Sequence, residues 1–423
     1  MKNCSSAKQF ILAALFTAGM TTLAAAGDKF VWKNLVSDLD GVASEVDANL
    51  NDSWGVIPGQ EGETIWVANA GSGTVTRYDL DGVPFQLNLG TKKTPDFGTQ
   101  VVTIPLSNVG TGNPGTGGAP TGIVLNHAAF GTNNSQEFLL GGKPSHWLAV
   151  TEDGGIVGYN TSNATTFTSS ALLGANTVGA FYTGCTLAFT GGTGTAAHRL
   201  YAANFAAGTV DVFNSDFSPA TDLVVNAFVD PAAVTGYKPY NVKRYATKDP
   251  VTKHILRVIL VAYAQNDGLN RGVAGDGNGY VDVFGTDGSF KGRLVAQGAA
   301  TAGRNLNVPW GMAIFRKNAK QADDVLLVAN HGSGAILAYS LANVFTGSFT
   351  AQTSSKEVLQ RADGEGALLF SQLRAVHFGV KHETAKLFAL DEDELDDGDG
   401  SLFISADLVD NEHGLIGRIF GAP

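Results

Sequence analysis

The chain has 423 residues, a formal charge of −11, only 16% charged residues and 53 glycines. An acidic surface of this kind repels phosphate backbones and anionic lipid, which disfavours nucleic-acid partners. The glycine count asks for many turns, and so for many short strands, while two cysteines, Cys4 and Cys185, leave no disulfide framework to stabilise them.

Residues 1–26 read as a secretory leader. Lys2 and Lys8 stand in a polar start, an apolar run extends from Phe10 to Met20, and Ala24-Ala25-Ala26 offers small residues for cleavage near Ala26. Its loss takes the formal charge from −11 to −13 and places the mature chain, 27–423, outside the cytoplasm as a secreted or periplasmic protein. The apolar run is shorter than the roughly 20 residues that a membrane-spanning helix needs, and no later segment is long enough. Cys185, in Cys185-Thr186-Leu187-Ala188-Phe189, reads as a buried structural thiol.

A two-part unit then repeats along the chain. It opens with a Pro-aromatic-Gly-apolar run, continues into a strand ending in Ala-Asn, and turns through glycines into a further strand. Ser53-Trp54-Gly55-Val56 with Trp66-Val67-Ala68-Asn69-Ala70-Gly71-Ser72-Gly73 matches Pro309-Trp310-Gly311-Met312 with Leu327-Val328-Ala329-Asn330-His331-Gly332-Ser333-Gly334. Weaker copies open at Pro120-Thr121-Gly122, Tyr182-Thr183-Gly184, Pro239-Tyr240-Asn241 and Leu373-Arg374-Ala375. The third opening position recurs at 55, 122, 184, 241, 311 and 375, a mean step of 64 residues that suits four-stranded blades with long loops. Strands such as Thr209-Val210-Asp211-Val212-Phe213 alternate with period two, as strands packed between blades must. These features predict an all-β fold, a six-bladed β-propeller over 27–423, with Phe30 to Val36 supplying the outer strand that the last blade lacks and so closing the ring.

At these residues, and at Asn34-Leu35-Val36-Ser37-Asp38-Leu39, Gly277-Asn278-Gly279-Tyr280-Val281-Asp282-Val283-Phe284 and Glu412-His413-Gly414-Leu415-Ile416-Gly417-Arg418-Ile419, the chain resembles a family of uncharacterised secreted bacterial propellers. The family is loosely NHL-like, and some members carry PEP-CTERM sorting tails. The resemblance spans the mature chain and implies the propeller fold, but no activity. This chain lacks the sorting tail.

The openings and the Ala-Asn ends should ring one mouth. The opening ring is Trp54, Thr121, Thr183, Tyr240, Trp310 and Arg374, and the strand-end ring is Asn69, Thr151, Asn204, Tyr263, Asn330 and Ala406. Ligand contacts are expected from Trp54, Asn69, Asn204, Tyr240, Trp310, Asn330 and Arg374, whose aromatic faces and amides suit a small molecule, a glycan or an envelope protein. Against that, asparagine before a glycine turn also bonds its own backbone, and large aromatics also fill cores. Arg374 near an apolar axis needs an acid or an anionic ligand, with Glu152, Asp153 and Asp407 as candidate partners. Glu412 and His413 would serve in proton transfer only if both turned inward.

The expected function is therefore a non-catalytic binding module. The alternative is a divalent-cation-dependent hydrolase of esters or lactones at the same mouth, although no opening residue is a carboxylate. Gly110-Thr111-Gly112-Asn113-Pro114-Gly115 has dinucleotide-site spacing without the helix that would cradle phosphate. No assured cofactor follows. The acidic run holding Asp391, Asp393, Asp397 and Asp399 reads as a solvated loop, with Ca²⁺ as the cation it would take, since Leu402 stands where a calcium loop begun at Asp391 requires glutamate.

Overall fold

The computed structural model describes residues 29–421 apart from 60–62, 86–100, 108–117, 128–136, 161–169, 249–254, 317–323, 343, 345–348, 380–400 and 409–411. It is a six-bladed β-propeller. From the axis outwards, blade one comprises Ser53–Pro58, Thr64–Asn69, Thr74–Asp79 and Val101–Thr103, and blade two Pro120–Leu125, Trp147–Thr151, Gly155–Tyr159 and Leu172–Asn176. Blade four comprises Tyr237–Lys248, Ile255–Gln265, Tyr280–Gly285 and Phe290–Val295, and blade five Pro309–Phe315, Val325–Asn330, Ile336–Ser340 and Glu357–Val358. The innermost strands touch in sequence around the ring, and that of blade six, Leu373–Phe378, returns to meet Ser53–Pro58.

Ring closure follows the predicted route. Blade six adds Leu402–Asp407 and Gly414–Gly421, and Lys29–Ser37 pairs antiparallel with that last strand from Phe30 opposite Gly421 to Ser37 opposite Leu415. The N-terminal strand thus removes an open edge and ties the two ends of the chain together.

Blade three differs from the four-stranded expectation. Its described strands are Tyr182–Phe189, His198–Asn204 and Thr209–Asn214. After a bridge from Phe213 to Pro219, the chain leaves this edge for blade four, where Val224 N–H donates to the Asp287 carbonyl and Phe228 N–H to that of Gly288. Asn226 and Phe228 take left-handed backbone angles, φ 60° and 58°, on that path.

The hydrophobic core is divided among the blade interfaces, because each alternating strand buries one face against each neighbouring blade. One cluster joins Ile57, Trp66 and Val75 of blade one to Trp147, Val157 and Tyr159 of blade two. Another joins Val258, Leu260 and Val283 of blade four to Met312, Leu326 and Leu337 of blade five. A further cluster lies on the axis itself and gathers Trp54, Phe205, Tyr240 and Trp310. No helix among the described residues is long and apolar enough to cross a membrane.

Removing residues 27–38 should lower the melting temperature by more than about 10 °C, since it reopens the ring and strips several strand pairs at once. Thermal unfolding followed by circular dichroism checks this, and an unchanged melting temperature would show that closure does not hold the fold.

Candidate functional site

Every innermost strand carries a β-bulge at its opening. In blade one Ser53 pairs with Asn69 and Val56 with Val67, so Trp54 and Gly55 together face one residue of the partner strand. The same irregularity falls at Thr121-Gly122, Trp310-Gly311 and Arg374-Ala375, and a single extra residue, Thr183 or Tyr240, produces it in blades three and four. A bulge re-aims the side chain it contains. Here it brings the opening residues to the axis, while the first opening residues pair with Asn69, Thr151, Asn204, Tyr263, Asn330 and Ala406, the expected strand-end ring.

Glycine after the bulged residue lets neighbouring backbones close in. A Cβ at Gly122 would lie 2.5 Å from the Cys185 nitrogen, and one at Gly55 would lie 2.8 Å from the Thr121 carbonyl oxygen. Hydrogen bonds then link successive blades at this level: the Thr121 hydroxyl donates to the Tyr182 carbonyl at 2.8 Å, Thr183 to Tyr240 at 2.7 Å, and the Asn241 amide to Trp310 at 2.7 Å. The entry to three openings is made by left-handed residues, Asp52 (φ 46°), Val308 (φ 51°) and Gln372 (φ 43°). Their carbonyls accept the N–H groups of Ala70, His331 and Asp407, the residues that follow Asn69, Asn330 and Ala406 of the strand-end ring. Val308 is β-branched, so its backbone is strained there.

The convergence fills the mouth instead of lining an open one. Trp54 and Trp310, each 4% exposed, meet edge to face with centroids 5.6 Å apart, and Tyr240, 3% exposed, packs against Trp54 at 6.2 Å and Phe205 at 4.6 Å. The Trp310 indole donates to the Thr183 carbonyl at 2.7 Å. The expected aromatic mouth is thus corrected to a plug, because the bulges turn these rings onto one another.

Arg374 is built into the plug. Its guanidinium lies 3.6 Å from the Trp54 ring centroid and pairs with Asp407 at 2.8 Å and Asp52 at 3.1 Å. Asp407 was among its candidate partners, whereas Asp52 was not. Asp52 also accepts the Trp54 indole N–H at 3.1 Å, and Asp407 accepts the Ser53 N–H at 3.2 Å, so the triad joins blade six to blade one. Burial and Arg374 hold the neighbouring His331 down at about 3. Burial, with Asp52 beside it, pushes Glu152 up to about 8 against the pull of Arg374.

The asparagines serve their own blades. Asn69 donates to Thr76 at 3.0 Å and accepts from Ser53, Asn330 accepts the Asn307 N–H, and Asn204 donates to Asp211 while accepting the Phe181 and Ala207 N–H groups. Nor do Glu412 and His413 form an inward acid-imidazole pair. Glu412 is exposed, and His413 bonds Asp38 of the N-terminal segment at 2.8 Å, because the ring-closing strand brings that carboxylate alongside. Asp391, Asp393, Asp397 and Asp399 lie outside the described residues, as do 110–115.

Beneath the plug, the innermost strands surround an axial pocket that opens to solvent. Its deep end lies at Gly55, Gly122, Cys185, Asn241, Trp310 and Ala375, and the strands run from there to its mouth at Pro58, Leu125 and Arg244. Val56, Ile123, Val124, Val242, Met312 and Val376 border it, with most of each side chain packed into the clusters between blades. Lys243, Arg244, His127 and His377 are the ionisable residues toward the mouth, and no Asp or Glu is among the described lining residues. Cys185 is buried as expected, and burial raises its thiol pKa so that it stays protonated. The cavity was missed in the sequence because these basic residues and histidines come from three blades and share no motif.

No known protein family matches the chain. Two uncharacterized proteins of Acanthamoeba polyphaga mimivirus are similar to it. One is 25% identical over 402 residues, covering 92% of this chain and 80% of the relative, and the other is 26% identical over 348 residues, covering 79% and 78%. Being viral, they lend no support to the bacterial, secreted part of the resemblance. Among solved structures, the Dos1 propeller has a TM-score of 0.44 at 9% identity, covering 89% of this chain and 69% of that one. The WD40 repeats of RRP9 have a TM-score of 0.44 at 10% identity, covering 94% and 98%. The calcium-binding protein regucalcin from Agrobacterium tumefaciens strain C58 has a TM-score of 0.43 at 10% identity, covering 87% and 90%.

The raised Glu152 has a consequence for stability. Between its ordinary value of 4.5 and about 8 the folded chain keeps a proton that the unfolded chain has released, so stability falls as pH rises through this window. Glu152→Gln should therefore gain in melting temperature relative to the parent as pH rises from 5 to 8, and the difference should level off above pH 8. A constant difference between the two across that range would contradict the assignment.

Proposed function

We propose that the protein is a non-catalytic binding module for a small organic anion, held in the axial cavity beneath the plug. The observation that carries this reading is the composition of the mouth: a chain of net −11 places Lys243 and Arg244 there, with His127 and His377 beside them and no carboxylate among the described lining residues. Apolar walls with a few placed polar groups are the usual make-up of a small-molecule site. A glycan stacked in the opposite mouth finds less support, since Trp54 and Trp310 spend their faces and edges on each other. The cation-dependent ester or lactone hydrolase would draw on carboxylates converging at the axis; Asp52 and Asp407 there are committed to Arg374, and burial keeps the nearby Glu152 protonated up to about pH 8. The leader-like start supports export, with cleavage near Ala26, as part of the same proposal.

Benzoate, titrated while tryptophan fluorescence is followed, tests the reading because Trp310 borders the cavity. The parent should bind and weaken as salt is added, and the double variant Lys243→Gln/Arg244→Gln should bind at least about tenfold more weakly, as expected for lost charge-assisted contacts. Absence of binding, or equal binding by the variant, would overturn it.

A further inference from the structure

We infer that the ligand is an amide-bearing carboxylate, a short N-acylated peptide, which lies extended along the axis with its amides on the strand edges and its carboxylate at the mouth. This rests on the proposed anion site and adds the ligand's chemical class and orientation. It follows from what the innermost strands turn toward the axis. Val56, Ile123, Cys185, Val242, Met312 and Val376 stand at one level, since each pairs with the residue two before the strand-end ring: Val67, Ala149, Ala202, Val261, Val328 and Ile404. Each packs its side chain into a different apolar cluster. Each innermost strand is also the edge of its sheet, with a partner strand on its outer side only. The main-chain groups that alternate away from that partner therefore face the axis.

Bonds at the strand ends fix the alternation. Gly59 N–H donates to the Thr64 carbonyl and Asn126 N–H to that of His146, so the groups of Val56 and Pro58 in blade one, and of Ile123 and Leu125 in blade two, point to the axis. In blade four the corresponding residues are Val242 and Arg244, whose N–H groups donate to Asn241 Oδ1 at 2.8 Å and to the Thr186 hydroxyl at 3.2 Å. Pro58 has no N–H to offer. Carbonyl oxygens at these positions therefore outnumber the available donors, and a ligand that brings its own N–H groups answers them. An amide does so, and its carbonyl accepts from the donors that remain, as an added strand does at a sheet edge. The two levels lie two residues apart on each strand, about 7 Å, which is also the repeat of an extended peptide. Charge sets the direction. Arg244 stands half-buried at the mouth beside Lys243, where its planar fork suits a carboxylate. With no Asp or Glu among the described lining residues, a free ammonium at the deep end would lack a counter-charge, which calls for an acylated amino end.

The test compares N-acetylglycylglycine with octanoate, which has the same number of chain atoms, and with N-acetylsarcosylsarcosine, in which methyl groups replace both N–H donors. Each competes with benzoate for the parent protein while tryptophan fluorescence is followed. N-acetylglycylglycine should bind about tenfold more tightly than either, the worth of two hydrogen bonds. Triglycine, with its charged amino end, should bind more weakly than N-acetylglycylglycine. Octanoate or the N-methylated peptide binding as tightly as N-acetylglycylglycine would overturn the amide ligand while leaving the anion site standing, and equal binding by triglycine would overturn its orientation. If neither benzoate nor N-acetylglycylglycine binds, both readings fall.

Discussion

The close approach of six innermost strands around one axis is the constraint on which the rest of this structure depends. Strands packed side by side at ordinary distances would leave a channel open at both ends. Here a bulge in each opening gains one residue of slack, and glycine after it removes the Cβ that would strike the neighbouring backbone at 55, 122 and 311 and the Asn241 side chain at 184. Hydrogen bonds from Thr121, Thr183 and Asn241 to the next blade then become reachable, and they set the blades at one height. The plug follows, since the bulged side chains close one end, and the pocket lies beneath them along the same strands.

The plug carries an electrostatic cost that its partners offset. A buried guanidinium flanked by two carboxylates is weak evidence for stability, because desolvation of all three ions opposes their attraction. Its value here lies in position. Asp52 precedes the first innermost strand, Arg374 lies in the last, and Asp407 ends the strand beside it, so the triad aligns the blade where the chain began with the blade where it ends. The closing strand and the triad act on the same seam, one at the outer edge and one at the axis. Glu152 sits near enough to feel these charges, and its raised affinity for a proton spares the cluster a further buried negative charge.

The ring itself was legible because its signals are local and periodic. The Pro-aromatic-Gly opening recurs, the strand-end ring pairs with the openings as predicted, and Lys29–Ser37 closes blade six. What the sequence does not carry is the direction of a side chain inside a bulge. Tryptophan at position 54 suits an open rim and a filled axis equally well, and only the simultaneous arrival of Trp310, Tyr240 and Phe205 decides between them. Asp52 as a partner of Arg374 was illegible for a related reason: 322 residues separate them, and its left-handed backbone is invisible in composition. Blade three's shorter sheet follows from Val224 and Phe228 finding backbone partners on blade four, a choice made between two surfaces rather than within one strand.

The location of the cavity follows from where residues of opposite character sit on the same strands. In blade four, Tyr240 of the innermost strand lies inside the plug, Asn241 follows at the deep end, and Lys243 and Arg244 come only a few residues later at the basic end. A strand rises about 3.3 Å per residue, so roughly 10 Å separates Asn241 beneath the plug from the basic residues toward the mouth.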